Sequence, residues 1–246
     1  MAEKIDTPNE KEMNIVGHLA ELRNRLLFTA IFFVVFFIGI FIFVEEIYYF
    51  IAQDIPFDLN ITSPGDIIWV YFTFAGLGSL IVTMPILCLQ LWLFIKPGLT
   101  KSERRLSILY VPAVFILFIL GIVFGYFMFT NLILPFLLSL NNGMFNEIFT
   151  VEKYFRFLFR VLIPFALLFE IPVIIMFLTS IGILTPKFMR KTRKYAYFIL
   201  LIIAALITPP DVVLQIVVAV PLFILYEISI LLAERVYKKR QSKQQS

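Results

Sequence analysis

Trp92-Leu-Phe-Ile-Lys96-Pro-Gly-Leu-Thr-Lys101-Ser-Glu103-Arg-Arg105 is a short charged stretch set between two long uncharged ones. Before it, Ile67 to Ile95 carries no charge over 29 residues; after it, Leu106 to Asn146 carries none over 41. A helix of 29 residues reaches about 43 Å at 1.5 Å per residue, more than a ~30 Å hydrocarbon core requires. The charged stretch is therefore a loop between two membrane spans. Pro97-Gly98 ends the first of them, Pro85 predicts a kink within it, and Gly76, Gly78 and Ser79 offer a small-residue face for close helix packing.

Composition extends this reading to the whole chain. Hydrophobic residues make up 61% and charged residues 15% of the 246, with a mean hydropathy of +0.93. Soluble domains are roughly 45–50% apolar and about 25% charged. One polytopic helical domain spanning 1–246 is expected, with no region polar enough for a soluble head. The net charge of +4 then reports orientation rather than nucleic-acid binding, because Lys and Arg concentrate on the cytosolic side of membrane proteins.

Working outward, residues 1–25 become amphipathic, with Ile15, Leu19, Leu22 and Leu26 at helical spacing, and read as a cytosolic interfacial helix. The first span, about 26–44, is followed by Glu45-Glu46 rather than a small-residue cleavage site, so it is not a cleaved signal peptide. Residues 45–66 contain five acids and no Lys or Arg, and are placed outside. The second span is 67–95. The uncharged run 106–146 admits one span or two with a turn at Asn131. One span, 106–128, is preferred because it keeps Lys187, Arg190, Lys191, Arg193 and Lys194 inside. An outer segment 129–156 follows, then spans at 157–184, 195–207 and 212–233 and a basic tail, 234–246. The fifth is short. Under this six-span arrangement eighteen of the 21 Lys and Arg lie inside, both termini are cytosolic, and Lys153, Arg156 and Arg160 are left outside.

The candidate sites are few. Glu170, in Leu-Leu-Phe-Glu-Ile-Pro, sits at membrane depth, where an ionised acid costs roughly 2.5–3.5 kcal/mol on insertion scales. It faces a partner or water, or is a protonated acid within helix packing. Glu103, the only acid among Lys96, Lys101, Arg104 and Arg105, is read as an acid for a cationic ligand. It also fits the capping-box pattern Thr100-Lys-Ser-Glu103. Glu21 stands four residues before Arg25, the favourable orientation for a helix-surface ion pair. Asp211, after Pro209-Pro210, reads as the cap of the last helix. Thr208 and Gln215 flank that turn and suit hydrogen bonds across helices. His18 is the only histidine and Cys88 the only cysteine. Zinc sites and His-dependent nucleophilic catalysis therefore lack their parts, and neither an enzyme nor a cofactor is expected.

Several stretches in order carry a family resemblance: His18-Leu-Ala-Glu-Leu-Arg23, Pro85 to Phe94, Pro97 to Arg105, Phe169-Glu-Ile-Pro172, Thr208-Pro-Pro-Asp-Val212 with Gln215, and Pro221 with Tyr226-Glu-Ile-Ser229. Together they make the chain similar to TatC, the receptor core of the twin-arginine (Sec-independent) protein translocase. The resemblance implies an all-α fold of six transmembrane helices, both ends cytosolic, curved into a concave bundle with short fifth and sixth helices, in a bacterial plasma membrane. It implies binding of Arg-Arg signal peptides of folded proteins by Glu21 and Glu103, with His18, Leu22, Arg23 and Phe94 nearby. It places Glu170, Thr208 and Gln215 on the concave face, where single-span TatA/TatB-type partner helices dock, and predicts a homo-oligomer among membrane lipid, driven by the proton gradient. Departures fall at Ser63-Pro-Gly-Asp66 and at Leu89. The alternative reading is a proton- or ion-coupled small-solute carrier titrating Glu170.

Overall fold

The computed structural model describes residues 15–53, 55–96, 110–141 and 148–244. Among them the chain is helical: α1 Ile15–Ile42, α2 Val44–Ala52, α3 Pro64–Ile95, α4 Tyr110–Met128, α5 Leu134–Ser139, α6 Val151–Leu168, α7 Ile171–Ser180, α8 Pro186–Ile207 and α9 Val212–Gln244. Five stretches are long and apolar enough to cross a membrane: Leu19–Ile42, Pro64–Ile95, Tyr110–Ser139, Val151–Ser180 and Val212–Gln241. The fold is all-α and of the integral-membrane type.

Start signals in the sequence set most of the boundaries. Ser63 opens α3 with a capping box, its Oγ accepting the Gly65 N–H while the Asp66 carboxylate accepts from the N–H of Ser63. Thr150 caps α6 by accepting the Lys153 N–H, and Thr185 caps α8 through the Phe188 N–H. Each satisfies a helix-end donor that hydrocarbon would leave orphaned.

Four features depart from the boundaries read off the sequence. The amphipathic stretch from residue 15 is continuous with the first span, since no proline or turn pair separates Arg25 from Leu26. Between Met128 and Leu134 the helix widens into a π-helical turn, Phe129–Ile133, instead of ending. There Thr130 Oγ1 donates to the Tyr126 carbonyl and Asn131 Nδ2 to the Phe127 carbonyl, satisfying acceptors that the wider turn loosens. α8 begins at Pro186, so the cluster Lys187 to Lys194 rides on its first turns rather than on a loop. α9 carries on through the basic tail to Gln244. α8 and α9 thus run beyond the apolar portions, 195–207 and 212–233, read from the sequence. α3 runs unbroken through Pro85.

The principal packing is serial: α1 on α3, α3 on α4, α4 on α6, and α9 on both α7 and α8. Small residues decide how close the first pairs come. A Cβ at Gly78 would meet Ile40 at 3.1 Å, and one at Gly121 would lie 2.7 Å from Ala166 Cα and 2.9 Å from the Phe165 carbonyl oxygen. Gly121 and Gly125 form a G-x-x-x-G face that lets α4 and α6 touch backbone to backbone. The inner face of α6 supplies the centre of the core, with Phe155, Leu158 and Phe165 fully buried. Phe74 of α3 meets Phe155 edge-on at 4.8 Å.

The two tryptophans mark the ends of the apolar slab. Trp69 and Trp92 lie near opposite ends of α3, and the rise from one to the other is about 34 Å, close to a ~30 Å core with its interfaces. Lys96 Nζ sits 5.1 Å from the Trp92 ring, and Arg156 lies 4.9 Å from Trp69. At the Trp69 end, Asn60 pairs with the strand-like residues before α6, its N–H donating to the Phe149 carbonyl at 2.8 Å and its carbonyl accepting from Val151 at 3.0 Å. At the opposite end, α8 and α9 are stitched together. Arg193 Nη2 and Tyr197 Oη donate to the two Glu227 oxygens, each at 2.6 Å, and Arg190 pairs with Glu234.

Two glycines test this packing with opposite signs. Gly121→Ala should cost about 1–3 kcal/mol through overpacking and lower the thermal midpoint of the purified protein in detergent. Gly39→Ala, where an added Cβ meets nothing within 4 Å, should leave the midpoint unchanged or raise it by up to ~1 kcal/mol of helix propensity.

Candidate functional site

The first site is built on α1 and α3 at the Trp92 end. Glu21 and Arg25 stand one turn apart on α1, and the Arg25 fork closes on one carboxylate oxygen, Nε at 3.0 Å and Nη2 at 2.6 Å. The remaining arm, Nη1, donates to Gln90 Oε1 on α3 at 3.1 Å. The pair is half-buried, with side chains 31% and 24% exposed for Glu21 and Arg25, so water screens it less than a free surface pair. Gly17, Asn24, Phe28 and Gln90 join them around a cavity of about 460 Å³. A carboxylate, a guanidinium and an amide therefore line one opening at the Trp92 end.

Of the neighbours expected here, Leu22 is half-buried and Arg23 exposed on α1. Phe94 is half-buried one turn beyond Gln90, on the same face of α3 by its i,i+4 spacing. His18 belongs to α1, with its side chain outside the described residues. Glu103 lies outside them altogether. Gln90, within the stretch Pro85 to Phe94, has no role in the reading from sequence. Its signal was visible, a lone amide inside the uncharged run before Ile95.

The second site is the junction of α6 and α7. Pro172 in the first turn of α7 blocks continuation of α6, and Glu170 occupies the break as the residue preceding Ile171. It is 5% exposed, and neither carboxylate oxygen has a hydrogen-bond partner among the described residues. Thr83 on α3 and Thr179 on α7 are likewise buried with unpartnered hydroxyls. Three polar groups held without partners at membrane depth cost free energy that hydrocarbon cannot return.

Thr208 and Gln215 fall elsewhere. Thr208 is buried, its Oγ1 donating to the Ala204 carbonyl at 2.9 Å, and Gln215 Nε2 reaches the Leu201 carbonyl of α8 at 3.4 Å. Between them Pro209 and Pro210 make the turn, and the Asp211 carboxylate accepts the Leu214 N–H at 2.9 Å at the start of α9. This turn is near the Trp69 end, because Arg160 Nε donates to the Leu206 carbonyl at 3.1 Å. Glu170 is ten residues past Arg160, about 15 Å farther along the helix axis. The turn bearing Thr208 and Gln215 is thus separated in depth from Glu170.

The ion pair of Glu227 with Arg193, joining the charged ends of α8 and α9, is the other contact that the sequence did not reveal.

These features define a polytopic helical membrane protein with a carboxylate–guanidinium pair at one interface and an unpartnered acid in its interior. The family described as "Sec-independent protein translocase protein (TatC)" matches residues 17–221. The chain is 42% identical to TatCd of Bacillus subtilis over 232 residues, 94% of this chain and 96% of that one. It is 41% identical to TatC of Halalkalibacterium halodurans over 243 residues, 95% and 94% of the two chains. A crystal structure described as the twin arginine translocase receptor TatC in DDM superposes with a TM-score of 0.79 at 32% identity, covering 88% of this chain and 99% of that one. The chain belongs to the TatC family. It is a component of a Sec-independent protein translocase and not an enzyme, and the family assignment displaces the solute-carrier reading.

Glu170→Leu should stabilise the isolated protein, since removing an unpartnered buried carboxyl relieves a desolvation cost of about 1–3 kcal/mol. Its thermal midpoint in detergent should rise. A fall would mean that the carboxyl has a stabilising partner.

Proposed function

We propose that this chain is the signal-peptide receptor of its translocase, with the Glu21 carboxylate at the Trp92 end recognising a peptide arginine. The supporting observation is the Glu21–Arg25–Gln90 chain of hydrogen bonds. The carboxylate already accepts two N–H groups of one guanidinium at 3.0 and 2.6 Å, so the site has the shape of an arginine receptor with an internal arginine seated in it. A peptide guanidinium takes the Arg25 position on Glu21, and Arg25 keeps a partner in Gln90 as it withdraws. The exchange leaves Arg25 hydrogen-bonded to a neutral amide and gives its carboxylate to the peptide. Glu103, outside the described residues, supplies the acid for the second arginine, with His18, Leu22, Arg23 and Phe94 bordering the peptide.

Arginine is preferred to lysine on physical grounds. A planar fork makes two parallel bonds to a carboxylate and is weakly hydrated, whereas an ammonium offers a compact, strongly hydrated point charge.

The reading extends to topology and partners. Basic ends at Lys96, Lys187 to Lys194 and the α9 terminus support a cytosolic Trp92 end with both termini on that side, α8 being the fifth of six crossings and α9 the sixth. Glu170 is the docking point for a single-span TatA/TatB-type helix carrying its own polar side chain, and Thr208 with Gln215 forms a second contact nearer the outer face. Several receptors assemble with these partners, and the proton gradient drives export.

Photocrosslinking of a signal peptide to the receptor in nanodiscs checks the central step. Peptides bearing Arg-Arg should crosslink at concentrations at least about tenfold lower than Lys-Lys versions, one lost bidentate charged hydrogen bond being worth ~1.5–3 kcal/mol. Glu21→Gln should remove most of that preference. Equal capture of the two peptides by the unaltered receptor would sink the proposal.

A further inference from the structure

Lys153, Arg156 and Arg160 recur at i, i+3 and i+7 along α6, so they share one helical face. They border a cavity of about 610 Å³ between α6 and α3 at the Trp69 end. Apart from them, every Lys and Arg of the described residues lies on the first three turns of α1 or α8, at the C-cap of α3, or on the last three turns of α9. Three cations gathered in one cavity at the sparsely basic end need a reason.

The counter-charge on hand is small. Arg156 pairs with Glu152 and lies over the Trp69 ring. Arg160 spends Nε on the Leu206 carbonyl. Asp66, the nearest acid on α3, is 7% exposed and turned to the N–H groups of Thr62 and Ser63. That leaves one acid against three bases, a net charge of +2 on the rim.

The floor of the same cavity is apolar. Ile163 and Pro164 continue the α6 face below Arg160, and Trp69 and Thr73 form the α3 wall. The Thr73 hydroxyl turns back to the Trp69 carbonyl at 2.7 Å, leaving its methyl on that wall. From Lys153 to Pro164 the helix descends about 16 Å, passing from charged rim to apolar floor as a phospholipid passes from head group to acyl chain.

We infer that this cavity between α3 and α6 is a binding site for one anionic phospholipid, its phosphate on Lys153, Arg156 and Arg160 and its acyl chain along Trp69, Thr73, Ile163 and Pro164. Phosphate is the matching anion because it accepts from several N–H donors at once, and the aromatic ring fixes the site at the interface where phosphates lie. A soluble anion would use the rim and ignore the floor. The lipid also buttresses the turn at Thr208-Pro-Pro, since Arg160 joins the head group to the Leu206 carbonyl.

Quenching of Trp69 by brominated lipid reads the site directly. The full chain with Trp92→Phe leaves Trp69 as its single tryptophan, reconstituted in vesicles of neutral lipid doped with dibromo-phosphatidylglycerol or dibromo-phosphatidylcholine. Half-quenching should need about tenfold less of the anionic lipid. Adding Lys153→Glu and Arg160→Gln should abolish the preference, whereas Lys187→Glu with Lys191→Glu at the opposite end should keep it. Because Arg160→Gln also removes the Leu206 contact, Lys153→Glu alone is the second variant and should reduce the preference severalfold. Equal quenching by the two lipids, or a preference untouched by Lys153→Glu, overturns the proposal. Relief of quenching by millimolar inorganic phosphate or glycerol phosphate would assign the rim to a free anion and overturn it as a lipid site.

Discussion

A bilayer offers no water to hydrogen-bond groups in its interior, and that constraint governs where this chain can place anything polar. α3 shows the constraint most plainly. Its uncharged length is bracketed by Trp69 and Trp92, each with a cation against its ring, so the ring settles at the interface and the charge remains in reach of water. Polar side chains between those levels are mostly turned onto their own helix, as with Thr73 to the Trp69 carbonyl and Thr208 to Ala204. The exceptions, Glu170, Thr83 and Thr179, stand out because the rest conform.

Close helix contact cannot come from hydrophobic driving force when the lipid is as apolar as leucine. It comes from removing side chains. Gly121 brings α4 so near to Ala166 and Phe165 that one methyl group has no room, while Gly78 seats Ile40 of α1 less tightly. The chain of contacts α1, α3, α4, α6 therefore tightens towards α6, which leads into the Pro172 break where Glu170 is buried.

The fold class and the places of the long apolar helices were legible, because charge-free runs of 29 and 41 residues have few other readings. The α9 start was marked by Asp211, whereas the capping box at Ser63-Pro-Gly-Asp66 that opens α3 fell in the stretch read as an outer segment. What sequence concealed was continuity. Residues 129–139 lack the length for a separate span, and nothing in their composition distinguishes an outer loop from a helix that widens and continues. The charges on α8 looked like a loop since hydropathy cannot see that Arg193 and Glu227 neutralise each other across two helices. At the candidate peptide site, the pairing of Glu21 with Arg25 followed from i,i+4 spacing, but the Gln90 contact joins residues 65 apart and no local pattern contains it.

The stitching of α8 to α9 also limits what motion is available. Arg193 and Tyr197 grasp the same carboxylate, Arg190 holds Glu234, Tyr226 reaches the Met189 carbonyl, and the opposite end is closed by a diproline turn. Neither helix can slide past the other like a piston without breaking bonds at successive levels. The hairpin is accordingly a stiff paddle: displacement at its charged end must be delivered as a tilt at Thr208, and any strain it transmits falls on the joint with Arg160.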